Sequence, residues 1–285
     1  MINFPVDFVL PYVNCLSQKW QNTYIDFCKK NGYADRVKNF NPERYRDWGF
    51  FRYAFRGIEY NLPFINKIYL ILQDEDQIPQ WMKTDKIQIV YHKDFIPSEY
   101  LPTYNSTTIE MFLDKIPGLS EHFIYSNDDI YPLLKMQAEH FFTEDGKVKI
   151  GFRERVLSGY GQFDLVCCRC YNEVQLLTKF RDTTPQYLTP YHEFTPMIKS
   201  HLTKVNELFG DRIEKGISAF REPKNHNQYI YSYIDYKKKN INTLSFYILF
   251  KQFIFITSTI STANFFPFNI LFARNTTSHL SNSIL

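Results

Sequence analysis

The stretch FIYSNDDIYP, residues 123–132, sets Asn127, Asp128 and Asp129 in a row behind a short apolar run. Adjacent carboxylates repel, and a divalent cation removes that cost. Mg²⁺ or Mn²⁺ takes one or two carboxylates together with substrate phosphate oxygens, so this triplet could hold a metal–diphosphate group. The same residues could instead close an Asx turn or cap a helix. A second cluster is ERYRDWGFFRYAFR, which carries Arg44, Arg46, Arg52 and Arg56. Guanidinium groups grip phosphates bidentately, although four of them can also line a solvated helix face. In PYHEF, His192 precedes an expected helix and could take a proton from a hydroxyl, or it could be structural. In AFREPKNHNQYIYSY, Arg221 could clamp a phosphate or lie on the surface. Cys167, Cys168 and Cys170 lack the second ligand pair that a zinc site needs, so a half-buried strand with small thiols is expected there.

These groups need a frame. VDFVLPYVN (6–14) predicts a buried first strand, with Asp7 near its start. QKWQNTYIDFCKK (18–30) has Trp20, Tyr24 and Phe27 near helical spacing and Asn31-Gly32 as a stop. WGFFRYAFRGIEYN (48–61) puts Phe51, Phe55 and Ile58 on one stripe and predicts a helix ending before Pro63. KIYLILQD (67–74), IQIVYH (87–92) and HFIYSND (122–128) predict strands, with a turn at QIPQWM (77–82). A helix over 105–116 is expected between the last two, capped by Asn105 or Ser106. This order predicts an α/β, Rossmann-like fold with a largely parallel sheet flanked by helices. In such a sheet, ligands lie outside the carboxyl ends of the strands, where Asp128 and Asp129 fall. The C-terminal half is expected to be more helical, with helices over 192–210 and 228–239.

Composition narrows the function classes. The 285 residues carry a net charge of +3, too little to argue for a nucleic-acid partner. Ten glycines argue against a Gly-rich phosphate loop. Met1 to Val13 contains Pro5, Asp7 and Pro11 and lacks a signal-peptide pattern; with five irregularly spaced cysteines this predicts reduced thiols in a cytoplasmic protein. FIFITSTISTANFFPFNILFA (253–273) has no charged residue and the length of a membrane span, but its hydroxyl and amide side chains favour a strand-rich core segment or a tail.

Together the blocks resemble the Stealth family of sugar-1-phosphate transferases. That family includes bacterial capsular polysaccharide phosphotransferases and the lysosomal-enzyme N-acetylglucosamine-1-phosphotransferase. DFVLPYVN is similar to its first block. The second runs from RYRDWGFFRYAFRGIE through KIYLIL, QIPQWM and LPTYNSTTIEMFLDKIPGLSEHFIYSNDDIY to HFFTEDG. The third is similar to PYHEFTPMIKSHL followed by AFREPKNHNQYIYSY. The resemblance covers about residues 6–236. In the fourth block the family has an Asn-Asp pair after a short strand, whereas here FIFITST places Ser258 and Thr259 there. This defines an expected domain over 1–240 and a divergent hydrophobic segment over 241–285.

The resemblance implies transfer of a sugar-1-phosphate from a nucleotide sugar, a UDP-sugar by preference, to a hydroxyl of a polysaccharide or lipid-linked glycan. The acceptor oxygen attacks the β-phosphorus, UMP leaves, and the anomeric C–O bond stays intact. Asp128 and Asp129 are implied ligands of Mg²⁺ or Mn²⁺. His192 is the implied base, with Asp7 as alternative, and Arg221 neutralises developing charge. Asn14, Arg46, Arg52, Asn105 and Asn127 are implied substrate contacts. The expected location is the cytoplasm, with peripheral association at the inner face of the membrane allowed. Two alternatives stay open: an ordinary glycosyltransferase that releases UDP, and a catalytically dead glycan- or nucleotide-binding relative, for which the Ser258-Thr259 departure speaks.

Overall fold

The computed structural model describes residues 1–42, 45, 47–83, 87–156, 186–222, 224–226, 231 and 241–243. The expected helix over 228–239, the cysteine cluster, Arg44, Arg46 and the segment holding Ser258 and Thr259 lie outside or almost wholly outside them.

The elements, in chain order, begin with β1 (Val6–Pro11), α1 (Gln18–Lys30), α2 (Ala34–Lys38), α3 (Phe51–Asn61), β2 (Ile65–Leu72), β3 (Ile87–Tyr91), α4 (Ser106–Glu110) and β4 (His122–Tyr125). They continue with β5 (Val148–Ile150), β6 (Phe152–Val156), β7 (Gln186–Pro190), β8 (Thr195–Ile198), α5 (Lys199–Gly216) and β9 (Ile241–Thr243). The main sheet has the order β3-β2-β1-β4-β8. β1, β2, β3 and β4 run parallel and β8 joins β4 antiparallel. The fold is the expected α/β class with a mostly parallel sheet flanked by helices.

The strands are apolar on both faces because both faces are covered. On one side, Phe8, Leu10, Leu70 and Ile124 pack against Phe51, Ala54 and Ile58 of α3. On the other, Val9, Ile71, Phe123 and Tyr125 meet Ile109 of α4 and Leu202 and Val205 of α5. A third cluster centres on Trp20, Tyr24 and Cys28 of α1 and reaches Tyr104 and Phe220.

The structure corrects two expected elements. The helix expected over 192–210 begins only at Lys199, because Thr195–Ile198 is a strand, buried throughout. Pro196 is tolerated there because β8 is an edge strand, where a missing N–H costs no ladder bond. The helix expected over 105–116 is cut into α4 and a 3₁₀ turn at Leu113–Lys115. Thr107 and Thr108 send their hydroxyls to the Asn105 side chain and the Ser218 carbonyl, and such side-chain bonds compete with a continuing helix. Among the described residues, no helix is long and apolar enough to cross a membrane. Cys15 and Cys28 are buried thiols outside any disulfide.

Candidate functional site

The strand order reverses at β1: β2 and β3 lie on one side of it and β4 on the other. The crevice between the carboxyl ends of β1 and β4 is therefore the topological switch point, where α/β sheets bind ligands. Tyr12 and Asn14 follow β1, and Asn127, Asp128 and Asp129 follow β4. The Ile130 N–H donates to the Asn127 carbonyl at 3.3 Å, so Asp128 and Asp129 occupy the corner of a turn.

Three packing features fix that turn. The Ser126 N–H donates to the Val9 carbonyl at 3.0 Å and extends the β1–β4 pairing to the turn's edge. Asn61 of α3 donates from Nδ2 to the Pro132 carbonyl at 2.7 Å, and the Met136 N–H donates to the Asn61 carbonyl at 2.8 Å. Gly57 lets α3 lie directly on this segment: a Cβ there would stand 2.9 Å from the Pro132 oxygen.

The electrostatics of the turn are strained. Burial, then the neighbouring Asp129 and then Asp47 push the Asp128 carboxyl up to about 7, while Arg221 acts in the opposite sense. Asp129 Oδ1 is buried with no hydrogen-bond partner among the described residues. A buried carboxylate oxygen left without a partner is costly. A hard cation taking one or both carboxylates, with remaining positions for phosphate oxygens and water, would satisfy both observations. Asp128 and Asp129 are thus the residues that could hold one. No three His, Cys, Asp or Glu side chains converge as a metal cage among the described residues.

Asp47 escaped the sequence reading, which attended to the arginines around it. Its Oδ1 accepts the N–H groups of Gly49, Phe50 and Phe51 at 2.8, 3.1 and 3.3 Å and so opens α3. Its Oδ2 accepts from the Tyr12 hydroxyl at 3.5 Å. Burial and the carboxylates Asp47 and Asp128 raise the Tyr12 and Tyr131 hydroxyls far above their ordinary range, so both remain donors at the crevice. A helix-capping Asp was legible in RDWGF; its approach to Asp128 was not.

His192 reaches the crevice through the antiparallel edge. Tyr125 pairs with Thr195, and the same register continued places Asp128 opposite His192. Asn127 Nδ2 and His192 Nε2 are 3.3 Å apart. Glu193, also overlooked in the sequence, has its carboxyl raised to about 7 by burial.

Arg221 comes from a loop tied to the start of α4, and its guanidinium donates to Ser106 Oγ at 2.7 Å. Asn105 makes that tie. It is buried, its Nδ2 donates to the Ser218 and Phe220 carbonyls and to Asn225 Oδ1, and its Oδ1 accepts from the Thr107 N–H and hydroxyl. Both ends of the amide, expected to contact substrate, are engaged within the protein and tie the Arg221 loop to the start of α4. Asn225 was also missed; its side chain bridges Asn105, Gly216, Ser218 and Glu222.

Asp7 is not brought to the crevice. It sits near the amino end of β1, fully buried, and accepts from Asn66 Nδ2 at 2.9 Å and the Ser120 N–H at 2.8 Å. Asp7 therefore lies at the end of the sheet away from the crevice, apart from where an alternative base was expected. Asn14 stands beside the site, where its Oδ1 accepts from the Leu16 N–H and shapes the exit from β1. Arg52 is exposed on the first turn of α3, its Nε donating to the Gly49 carbonyl at 3.3 Å. Arg46 lies outside the described residues.

Comparison with known proteins follows the same geography. Stealth protein CR2, conserved region 2, matches residues 44–150, which span Asp47, α3 and the Asp128–Asp129 turn. The chain is 32% identical to the capsular polysaccharide phosphotransferase fcs1 of Haemophilus influenzae over 221 residues, 75% of this chain and 60% of the relative. It is 34% identical to the exopolysaccharide phosphotransferase cps2G of Lactiplantibacillus plantarum over 163 residues, 56% of this chain and 46% of the relative. It is 38% identical to the receptor polysaccharide phosphotransferase WefC of Streptococcus oralis over 148 residues, 50% of this chain and 43% of the relative. The matches thus cover about half the length of these relatives.

Proposed function

We propose, from the match of residues 44–150 to conserved region 2 of the Stealth proteins, that this chain is a polysaccharide phosphotransferase of capsule or exopolysaccharide synthesis. The donor in this reading is a nucleotide sugar, a UDP-sugar by preference, and the acceptor is a hydroxyl of a polysaccharide or lipid-linked glycan. The acceptor oxygen bonds to the β-phosphorus, the bond from that phosphorus to the bridging oxygen breaks, and UMP leaves. The sugar's anomeric C–O bond is untouched, so its configuration is retained. The observation that carries the reading is the Asp128–Asp129 turn at the β1/β4 switch point, with a carboxyl raised to about 7 beside a partnerless buried carboxylate oxygen.

Phosphoryl transfer asks for positioning and charge neutralisation more than for covalent chemistry. Asp128 and Asp129 would hold Mg²⁺ or Mn²⁺, which when bound neutralises diphosphate charge. Arg221, whose charge already acts on Asp128, would neutralise charge developing on the transferring group. Tyr12 and Tyr131 offer hydroxyl donors at the same crevice. His192, oriented by Asn127, takes the acceptor proton. Asn14, at the exit from β1, flanks the donor. Work at the cytoplasmic face of a membrane suits a lipid-linked acceptor.

The test is the released nucleotide. With a panel of nucleotide sugars and a glycan acceptor, mass spectrometry should find UMP and a phosphodiester product. EDTA should stop the reaction, and Asp128→Asn should slow it by about 10²-fold, the scale of losing one transition-state stabiliser. UDP as product would assign an ordinary glycosyltransferase, and no turnover of any donor would assign a binding protein. Full activity in EDTA would remove the metal from the mechanism.

A further inference from the structure

The inner face of α3 is fully spent on the core through Phe51, Ala54 and Ile58. Its outer face is chemically distinctive. Tyr53 and Tyr60 are 49% and 69% exposed, two turns apart on that face, and Arg56 lies exposed between them. The segment held against α3 by Gly57 and Asn61 adds a second row, with Leu133 and Leu134 50% and 46% exposed and Lys135 exposed beside them. The rows are joined, because Lys135 Nζ sits 4.8 Å above the Tyr60 ring. At the other end, the Arg52 and Arg56 guanidinium groups lie 5.4 and 5.6 Å from the Tyr53 ring.

These apolar groups do nothing for the core, and they are interleaved with cations rather than gathered into a pocket. Three basic residues against Glu59 leave the face at +2 (3 − 1 = 2). Paired leucines enter the acyl boundary, tyrosines rest at headgroup level with their hydroxyls wet, and Arg and Lys reach lipid phosphates from flexible stems. We propose that the outer face of α3, with Leu133, Leu134 and Lys135 beside it, docks on an anionic membrane surface. The charge complementarity selects lipid phosphate as the occupant. Leu133 follows Asp129 by four residues, so docking would hold the Asp128–Asp129 turn close to the bilayer, where a lipid-linked glycan ends. The inference goes beyond the reaction and does not need it.

The experiment is vesicle co-sedimentation of the full chain, with phosphatidylcholine vesicles and with phosphatidylcholine containing phosphatidylglycerol. Binding is expected to the anionic vesicles, to weaken with salt, and to be weak on pure phosphatidylcholine. Lys135→Glu should lower it by at least about fivefold. Leu133→Ser with Leu134→Ser should lower it by about tenfold or more, with thermal unfolding confirming that each variant is folded. Arg56→Glu, on the helix itself, gives an independent loss. No binding, equal binding to both vesicle types, or folded variants that bind like the wild type would overturn the proposal. Nucleotide release with a soluble glycan acceptor separates it from the proposed function. A chain that turns over donor yet ignores vesicles loses only the docking surface, and one that binds vesicles but turns over no donor loses only the phosphotransferase reading.

Discussion

Gly57→Ala tests whether α3 really seats the carboxylate turn. In a helix with open surroundings, Gly→Ala stabilises by about 1 kcal/mol, because alanine loses less conformational entropy on folding. At Gly57 the new Cβ would stand 2.9 Å from the Pro132 oxygen and 3.1 and 3.2 Å from its Cγ and Cδ. Neither is the free end of a flexible side chain, since the oxygen is backbone and already accepts from Asn61 at 2.7 Å. Overpacking of this kind costs about 1–3 kcal/mol, so the net change should be a destabilisation of about 1 kcal/mol. For a chain of this size that lowers Tm by about 2–4 °C. Gly210→Ala, in α5, is the internal control: nothing lies within 4 Å of its Cβ, so it should gain what Gly57→Ala loses. Pro132 follows Asp129 by three residues, and relief of the clash must move that segment. Misplacement by a fraction of an ångström at a reacting centre should reduce kcat/KM for the donor by about tenfold. Thermal unfolding of both variants, with steady-state nucleotide release, measures the pair. A Gly57→Ala protein that gains stability like the control and turns over normally would refute the seating of the turn.

Other outcomes follow from single residues. Asn105→Ala removes three donated and two accepted contacts from a buried amide and should cost about 2–4 kcal/mol, read as a lower urea midpoint, with donor turnover falling as the Arg221 loop loosens. His192→Ala should lower kcat by about 10²-fold or more and leave donor KM nearly unchanged; an unchanged kcat would pass the proton to solvent. Burial holds the His92 and His226 rings down at about 4, below their ordinary 6.5. The unfolded chain then takes up protons that the folded chain refuses, so stability is full above pH 6.5 and falls as pH drops toward 4. Each histidine contributes a slope of at most about 1.4 kcal/mol per pH unit. Urea midpoints across that window should flatten when His92 is replaced by Asn.

The sequence alone determined the parts whose signals are local. Apolar runs marked β1, β2, β3 and β4, and the stripe of Phe51, Phe55 and Ile58 marked α3, because a sheet covered on both faces makes its strands continuously apolar and burial of one helix face imposes a helical period. The order of those elements implied a parallel sheet, and the sheet implied that Asp128 and Asp129 stand at its ligand-binding edge. What tertiary structure decided were pairings between distant segments. TPMI carries a strand's burial only because β4 lies beside it, and that antiparallel register brings His192 to Asn127 across 65 residues. Asp47 reads in sequence as the start of a helix, and only the docking of α3 on the sheet turns it toward Asp128. Asp7 looks like a site residue in a string of letters, but the strand's direction puts it at the wrong end. Asn105 looks like a ligand contact until the loop of Asn225 consumes its amide. Propensity and periodicity act over one or two turns of chain, whereas a carboxylate's partners are set by whichever backbone the fold lays next to it.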